Sequence, residues 1–384
     1  MERLIYLDNA ATSFPKPEGV YEAVLQAMRE NGGNSGRSGH RLSLAAGRIV
    51  QDARMQCARL FGAPSSAQII FTSNATMALN IAIKGTLAPG EHVITSSLEH
   101  NAVARPLHAL AQTGVTVTKL PTDLQHGLNA DAVKKALRSN TKLVVCTHVS
   151  NVTGTVNDIA SIGALCRENR IVFLVDAAQS AGSRHIDVEK MCIDLLAFPG
   201  HKGLLGPQGT GGLYVRLGLE LKTMIEGGTG SASESLAQPE AMPEKFESGT
   251  LNAPGLAGLA AGVRFIMEQG VEAIGQREAA LTNRLIEGIS DMTGIAVIGP
   301  GAGQGRAGVV SVRFEKLFSE EAALLLDTAF HIAVRGGLHC AGDAHRSIDA
   351  RERGDTLRIS PYIFNSEEEI DQCLAALEIC AKGV

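Results

Sequence analysis

Tryptophan is absent from the 384 residues, and aromatic side chains make up only 4% of them. Stacking platforms for single-stranded nucleic acid are therefore not expected. Lysine and arginine number 35 against 40 aspartates and glutamates, a net charge of −5 with no basic run, so nucleic acid is not expected as a main partner. No stretch approaches the roughly 18 consecutive apolar residues of a membrane span. The opening MERLIYLDNAATSFPKP has neither a long apolar run nor a cleavage-site pattern, which argues against a signal peptide. The seven cysteines, Cys57, Cys146, Cys166, Cys192, Cys340, Cys373 and Cys380, are odd in number, scattered, and without a C-x-x-C pair. Neither a disulfide framework nor a metal site is expected from them, and a reducing, cytoplasmic compartment fits best.

What the chain does have is 45% hydrophobic residues, 20% charged residues and 42 glycines, the composition of a globular protein with room for about two or three domains. Its middle alternates short β-branched runs with helical patterns. Strands are expected at Gln68–Thr72, His92–Thr95, Val115–Leu120, Lys142–His148, Ile171–Val175, Asp194–Phe198 and Gly212–Val215, with helices such as Ala130–Arg138 and Ile159–Asn169 between them. Such alternation implies an α/β fold with a mostly parallel sheet covered on both faces, accounting for residues up to about 250. Asn252-Ala253-Pro254-Gly255 then breaks the chain before one long helix expected to run to about Met292, its stripe formed by Leu256, Leu259, Val263, Ile266, Met267, Val271 and Ile274. After Gly299–Gly303, strands at Val309–Phe314 and Thr356–Ile359 and helices at Glu320–Phe330 and Glu367–Cys380 suggest a second, smaller α+β domain.

Ligands of open α/β sheets collect at the carboxyl ends of strands. Those ends read Thr72–Thr76, Glu99-His100-Asn101, His148–Asn151, Asp176–Gln179 and Phe198–Gly203. Polar residues follow apolar runs at five ends, which points to a site. Lys202 follows a buried strand and sits among glycines; partial desolvation would lower its pKa and make it a nucleophile able to form a Schiff base with an aldehyde. The competing reading is a lysine placed for solubility or phosphate binding. Asp176 ends the run Ile-Val-Phe-Leu-Val, where an unpaired carboxylate is costly. It suits either a helix N-cap or a cationic partner, and a protonated pyridine nitrogen is such a partner. Together the two residues favour pyridoxal 5'-phosphate.

The chain resembles the cysteine desulfurases of the class V, fold-type I pyridoxal-phosphate family, and within it the group with short R-x-G-x-H-C loops. The resemblance rests on Leu7–Thr12, Ser73–Thr76, Glu99-His100-Asn101, Ser150-Asn151, Asp176–Gln179, Gly200-His201-Lys202, Phe246–Asn252 and Arg335–Cys340, in that order. It implies a large domain over residues 14–254 with a seven-stranded sheet flanked by helices, and a small domain made of 1–13 and 255–384. Lys202 would then hold the cofactor covalently and shuttle protons. His100 would lie over its ring, Asp176 would pair the ring nitrogen, and Asn151 and Gln179 would address the phenolic oxygen. Ala75, Thr76 and His201 would hold the phosphate at a helix N-terminus, with Thr250 supplied by the neighbouring subunit of a homodimer. Arg358, with Arg335 and Asn9, would bind the substrate carboxylate.

The resemblance makes Cys340 the residue on which function turns. It alone of the seven cysteines sits in a polar, glycine-containing loop, and a nearby histidine and arginine would favour its thiolate. The implied reaction takes L-cysteine to L-alanine, leaves sulfur on Cys340 as a persulfide, and passes it to an acceptor protein or thiol. Two positions depart from the family pattern: Pro199 replaces a Ser or Thr two residues before the His-Lys pair, and a charged stretch, Asp343–Gly354, follows Cys340. Arg37, His40 and Arg41 suit either a solvated loop or a place facing the site. Two alternatives stay open, a selenocysteine lyase or other lyase or aminotransferase on the same scaffold, and a weakly active scaffold subunit in sulfur assembly.

Overall fold

A computed structural model describes residues 4–36, 38–231, 233–348 and 355–383. Arg37 and the end of the charged stretch (349–354) lie outside the described residues. The chain opens with strand β1 (Ile5–Tyr6) and helices α1 (Glu18–Glu30) and α2 (Arg41–Phe61). It then runs β2 (Ile69–Thr72), α3 (Ala75–Thr86), β3 (His92–Ser96), α4 (Asn101–Ala111), β4 (Thr116–Leu120), α5 (Ala130–Ala136), β5 (Thr141–Thr147), α6 (Ile159–Glu168), β6 (Val172–Asp176), β7 (Leu195–Pro199) and β8 (Gly211–Val215). Each strand expected in this region is found, with ends displaced by at most one residue.

Among the described residues these strands form a seven-stranded sheet of order β2-β8-β7-β6-β5-β3-β4. β8 is antiparallel to both its neighbours, and the other pairings are parallel, so β2 to β7 all point the same way. Alternation along each strand fills both faces: Phe173 and Val175 of β6 enter one core, Val172 and Leu174 the other. That two-sided burial is why the strands read as continuous apolar runs.

A buried ion pair ties the sheet to the segment after residue 245. Arg54 on α2 donates to both oxygens of Glu247 at 2.7 and 2.8 Å and to the Ile69 carbonyl, while Glu247 accepts the Phe71 N–H at 2.7 Å. Removing one partner strands a buried charge, so Arg54→Ala is expected to lower unfolding free energy by about 3 kcal/mol in denaturant titrations.

The long helix expected from 255 to 292 is two helices. α7 (Ala253–Gln269) and α8 (Val271–Ser290) meet at Gly270, whose φ of 85° turns the chain. The α7 stripe of Leu256, Leu259, Val263 and Ile266 packs into the large sheet's core, whereas Leu281, Leu285 and Ile289 of α8 join a separate core. That second core is completed by β9 (Ile295–Ile298), β10 (Val310–Phe314), α9 (Ser319–Phe330), β11 (Ile332–Ala333), β12 (Leu357–Ile359) and α11 (Glu367–Lys382), while the short α10 (Gly342–Ser347) places Ala344 in a separate small cluster with Leu98, Val152, Ala341 and Ile348. β12-β10-β9 form an antiparallel sheet, and β1 pairs in parallel with β11, bringing Ile5 and Leu7 into the same core.

Candidate active site

Because β2, β3, β5, β6 and β7 share one direction, their carboxyl ends open on the same edge. A cavity of about 510 Å³ lies there. Its walls are Ala75 and Thr76 after β2, His100 after β3, Thr147 and Asn151 around the end of β5, Asp176 and Gln179 at the end of β6, and Pro199, His201 and Lys202 at the end of β7. Gly211, at the start of β8, lets α3 begin against the sheet: a Cβ there would lie 2.8 Å from the Asn74 backbone.

The Lys202 amine makes no hydrogen bond among the described residues, and its pKa is lowered from 10.5 to about 8, first by burial and then by the Arg358 and Arg335 guanidiniums against the pull of Asp176 and Asp8. Asp176 is buried, accepts one N–H from Ala178 at 2.9 Å, and is raised above the usual carboxylate range by burial, opposed by that bond and by Lys202. His100 Nδ1 accepts the Ala102 N–H at 3.0 Å, which leaves Nε2 as the nitrogen that carries the proton; burial and neighbouring cations hold the ring neutral, with its pKa near 4. His201 is likewise neutral, lowered to about 4 by burial and by the Lys202 and Lys16 ammoniums, and its Nδ1 is buried without a partner among the described residues. At the start of α3, Asn74 caps the Met77 N–H, while the amides of Ala75 and Thr76 and the Thr76 hydroxyl donate to no group among the described residues. That helix end is an anion site in waiting. Below it Glu99 accepts from Ser96 Oγ and from the Thr147 N–H at 2.9 Å, and burial pushes it up to about 8.

The loop from Arg335 to Cys340 closes over the same edge. Arg335 and Arg358 exchange main-chain hydrogen bonds at 3.2 and 2.8 Å. Cys340 is exposed, with Arg335 Nη2 3.7 Å from its Sγ; the other six cysteines are buried or partly so. Its carbonyl accepts the Asn101 N–H at 2.8 Å, next to His100, and the His339 carbonyl accepts from Asn151 Nδ2 at 2.7 Å. His339 and Cys340 both take left-handed backbone, φ 49° and 56°, a conformation that costs such residues of order 1 kcal/mol or more each. The histidine half of the expected thiolate environment is corrected here. His339 turns inward onto the Thr356 carbonyl and hydroxyl at 2.9 and 3.0 Å, and burial drives its pKa down to about 2, so it brings no charge to Cys340. Arg335 does.

Arg358 is buried, donating to Asp8 at 2.8 Å and to the Asn151 carbonyl at 3.3 Å, while its Nε has no partner among the described residues. Asp8 was missed in the sequence although it stands inside the Leu7–Thr12 motif; a buried arginine needing a carboxylate was the available signal. Asn9 lines an adjoining cavity of about 360 Å³ that also borders Lys202. Its Nδ2 is already shared among the Ser360 and Tyr6 carbonyls and Asn365, and its Oδ1 accepts the Phe14 N–H, so its side chain braces the loop. Gln179 Nε2 donates to the Ala10 carbonyl at 3.1 Å. Thr250 does not line the cavity; it is exposed and accepts from Asn34 Nδ2 at 3.3 Å. His40 and Arg41 are exposed at the start of α2, where His40 accepts the Ser43 N–H.

With this geometry in view, a family model described as Aminotransferase class-V matches residues 5–373. The chain belongs to the class V aminotransferase family. Among relatives in that family, the probable cysteine desulfurase of Methanothermobacter thermautotrophicus is 36% identical, aligned over 97% of this chain and 94% of its own length. The cysteine desulfurase IscS of Vibrio vulnificus is 34% identical over 100% and 94%. Among solved class V structures, the apo cysteine desulfurase from Thermococcus onnurineus NA1 superposes with a TM-score of 0.93 at 33% identity, covering 99% of this chain and 95% of that one. The cysteine desulfurase CsdA of Escherichia coli gives 0.87 at 27%, covering 98% and 94%. These neighbours carry the fold-type I architecture of a large, mostly parallel sheet expected from the sequence.

Proposed function

We propose that this chain is a pyridoxal-phosphate-dependent cysteine desulfurase that converts L-cysteine to L-alanine and takes the sulfur onto Cys340. The observation that carries the reading is the convergence on one cavity of an amine without a hydrogen-bond partner among the described residues, a buried carboxylate that no cation among them bonds, and an open helix N-terminus. These three features match the aldehyde, the ring nitrogen and the phosphate of the cofactor. When bound, it supplies a sink for the electrons left by removal of the substrate's α-proton.

The chain's own residues do the rest. Lys202 would hold the cofactor through its aldehyde and, once the substrate's amine has displaced it, the freed Nζ would take and return the α-proton. Asp176 keeps the ring nitrogen protonated. The amides of Ala75 and Thr76, the Thr76 hydroxyl and His201 hold the phosphate, which compensates for the missing hydroxyl at Pro199. Asn151 and Gln179 border the phenolic oxygen, and His100, through Nε2, moves a proton near the reacting atoms. Arg358, with its spare Nε–H, and Arg335 hold the substrate carboxylate. The Cys340 thiolate attacks the substrate sulfur: an S–S bond forms, the Cβ–S bond breaks, and its electron pair stays on the carbon that takes a proton as the methyl of alanine. The exposed Cys340 beside Arg335 favours this over a lyase in which the cysteine plays no part. Its exposure also leaves the persulfide open to an acceptor protein or thiol.

The test is to measure sulfide and alanine released from L-cysteine, with L-selenocysteine in parallel. Equimolar products from cysteine support the reading; selenide without sulfide moves it to a selenocysteine lyase. A pH dependence follows from Lys202. At pH 7 an amine of pKa near 8 is roughly one-tenth free base, against about one part in 3,000 for an ordinary lysine. Cofactor uptake by stripped protein is therefore expected to rise about tenfold per pH unit below 8 and level off above it, followed as visible absorbance. A rate still climbing at pH 10 contradicts the lowered pKa.

The assembly we propose is a homodimer in which Thr250 serves the partner's phosphate site. Tyr21, Leu25 and Met28 form an exposed apolar stripe along α1, continued by Leu42 and Leu44 at the start of α2. Met28→Asp is expected to shift the protein toward monomer in sedimentation velocity. Two units are proposed within each chain, residues 14–254 as the larger and 1–13 with 255–384 as the smaller, with α7 of the latter packed into the larger sheet's core. No helix of the described residues is long and apolar enough to cross a membrane. The seven unpaired cysteines suit the cytoplasm.

A further inference from the structure

Lys16 is a partly buried cation with no carboxylate within ion-pair distance among the described residues, a costly arrangement on the surface-facing side of the site. Its Nζ donates to the His201 carbonyl at 2.9 Å and to Ser13 Oγ at 2.7 Å. The same carbonyl also receives Thr12 Oγ1 at 3.0 Å, the Ser13 N–H at 3.1 Å and a longer contact from Ser13 Oγ at 3.3 Å. Three donors, Lys16 Nζ, Thr12 Oγ1 and the Ser13 N–H, thus share an oxygen with two lone pairs, since the Ser13 hydroxyl has a single proton to give. The hydroxyl of Ser13 in turn bonds the next carbonyl, that of Lys202, at 2.8 Å. Further back, the segment is braced through Asn9 to Ser360, two residues beyond Arg358, and Asp8 holds the Arg358 guanidinium itself.

We propose that Lys16 is a positioning residue for Lys202: its ammonium closes a clamp from the segment 8–16 onto the 201–202 peptide, fixing the spacing between Lys202 and Arg358. The clamp needs charge because a neutral donor is the weaker partner for a carbonyl already shared with other groups. Burial lowers the Lys16 pKa to about 8, which still leaves the ammonium the main form at pH 7. The functional part of this inference rests on Lys202 being the cofactor's anchor; the mechanical part does not.

The experiment compares wild type, Lys16→Met and Lys16→Arg in two measurements. Hydrogen exchange needs no cofactor and reads the Ser13 and Leu205 amides, which bond to the His201 and Lys202 carbonyls. Both should exchange about tenfold faster in Lys16→Met and within twofold of wild type in Lys16→Arg. In loaded protein, loss of the visible chromophore on dilution should be about tenfold faster in Lys16→Met, again restored by arginine. Unchanged exchange in Lys16→Met overturns the clamp, as does an arginine variant as impaired as the methionine one. If Lys16→Met does not fold, Lys16→Gln carries the same comparison. A wild-type protein without a Lys202-dependent chromophore defeats the proposed function instead, while the exchange result still decides the clamp.

Discussion

Lys202→Ala protein is expected to purify colourless and to release sulfide from cysteine at least about 1,000-fold more slowly than wild type, because one amine supplies both the covalent anchor and the proton shuttle. No second amine can stand in. Lys16 is engaged by Ser13 and the His201 carbonyl and does not line the cavity. Folding should not suffer. The Lys202 amine makes no hydrogen bond among the described residues and is disfavoured in its charged form by burial, so the unloaded alanine variant is expected to melt no lower than unloaded wild type. A variant that is inactive and also unstable would point to a structural role, whereas colour and activity surviving together would remove Lys202 from the chemistry.

Cys340→Ser is expected to separate the two halves of the reaction. The cofactor site lies at the strand ends and contains no atom of Cys340, so the variant should keep the visible chromophore and its response to cysteine. Sulfide release should fall by about 100-fold or more, since a serine hydroxyl is not ionised at neutral pH and cannot accept sulfur as a persulfide. Stability should be unchanged because the side chain is exposed. Wild-type protein treated with cysteine should carry one additional sulfur on the Cys340 peptide by mass spectrometry, absent from the serine variant. Full sulfide release by Cys340→Ser would return the site to a lyase in which another thiol collects the sulfur.

Much of this architecture is legible in the sequence for a physical reason. Strands buried on both faces must be continuous apolar runs, and a polar residue directly after such a run has to be capped, paired or used. Asp176 and Lys202 stood out on that ground, and both line the same cavity. Other features depend on contacts between residues far apart in the chain, which a local pattern cannot show. His339 reads as part of a polar loop, but its ring faces Thr356 and is neutral. Arg358 depends on Asp8, and Asn9 on Ser360, each about 350 residues away. The stripe that predicted one helix past Gly270 misled because Val271 and Ile274 keep the helical spacing on the far side of the turn.

Every later step depends on a covalent bond between Lys202 and the cofactor's aldehyde. Borohydride reduction of the coloured protein, followed by intact-mass and peptide mapping, tests that bond directly. One phosphopyridoxyl group on the peptide containing Lys202 is the predicted result. Colour that borohydride leaves unbleached, or an adduct mapped to another lysine such as Lys16, would contradict it.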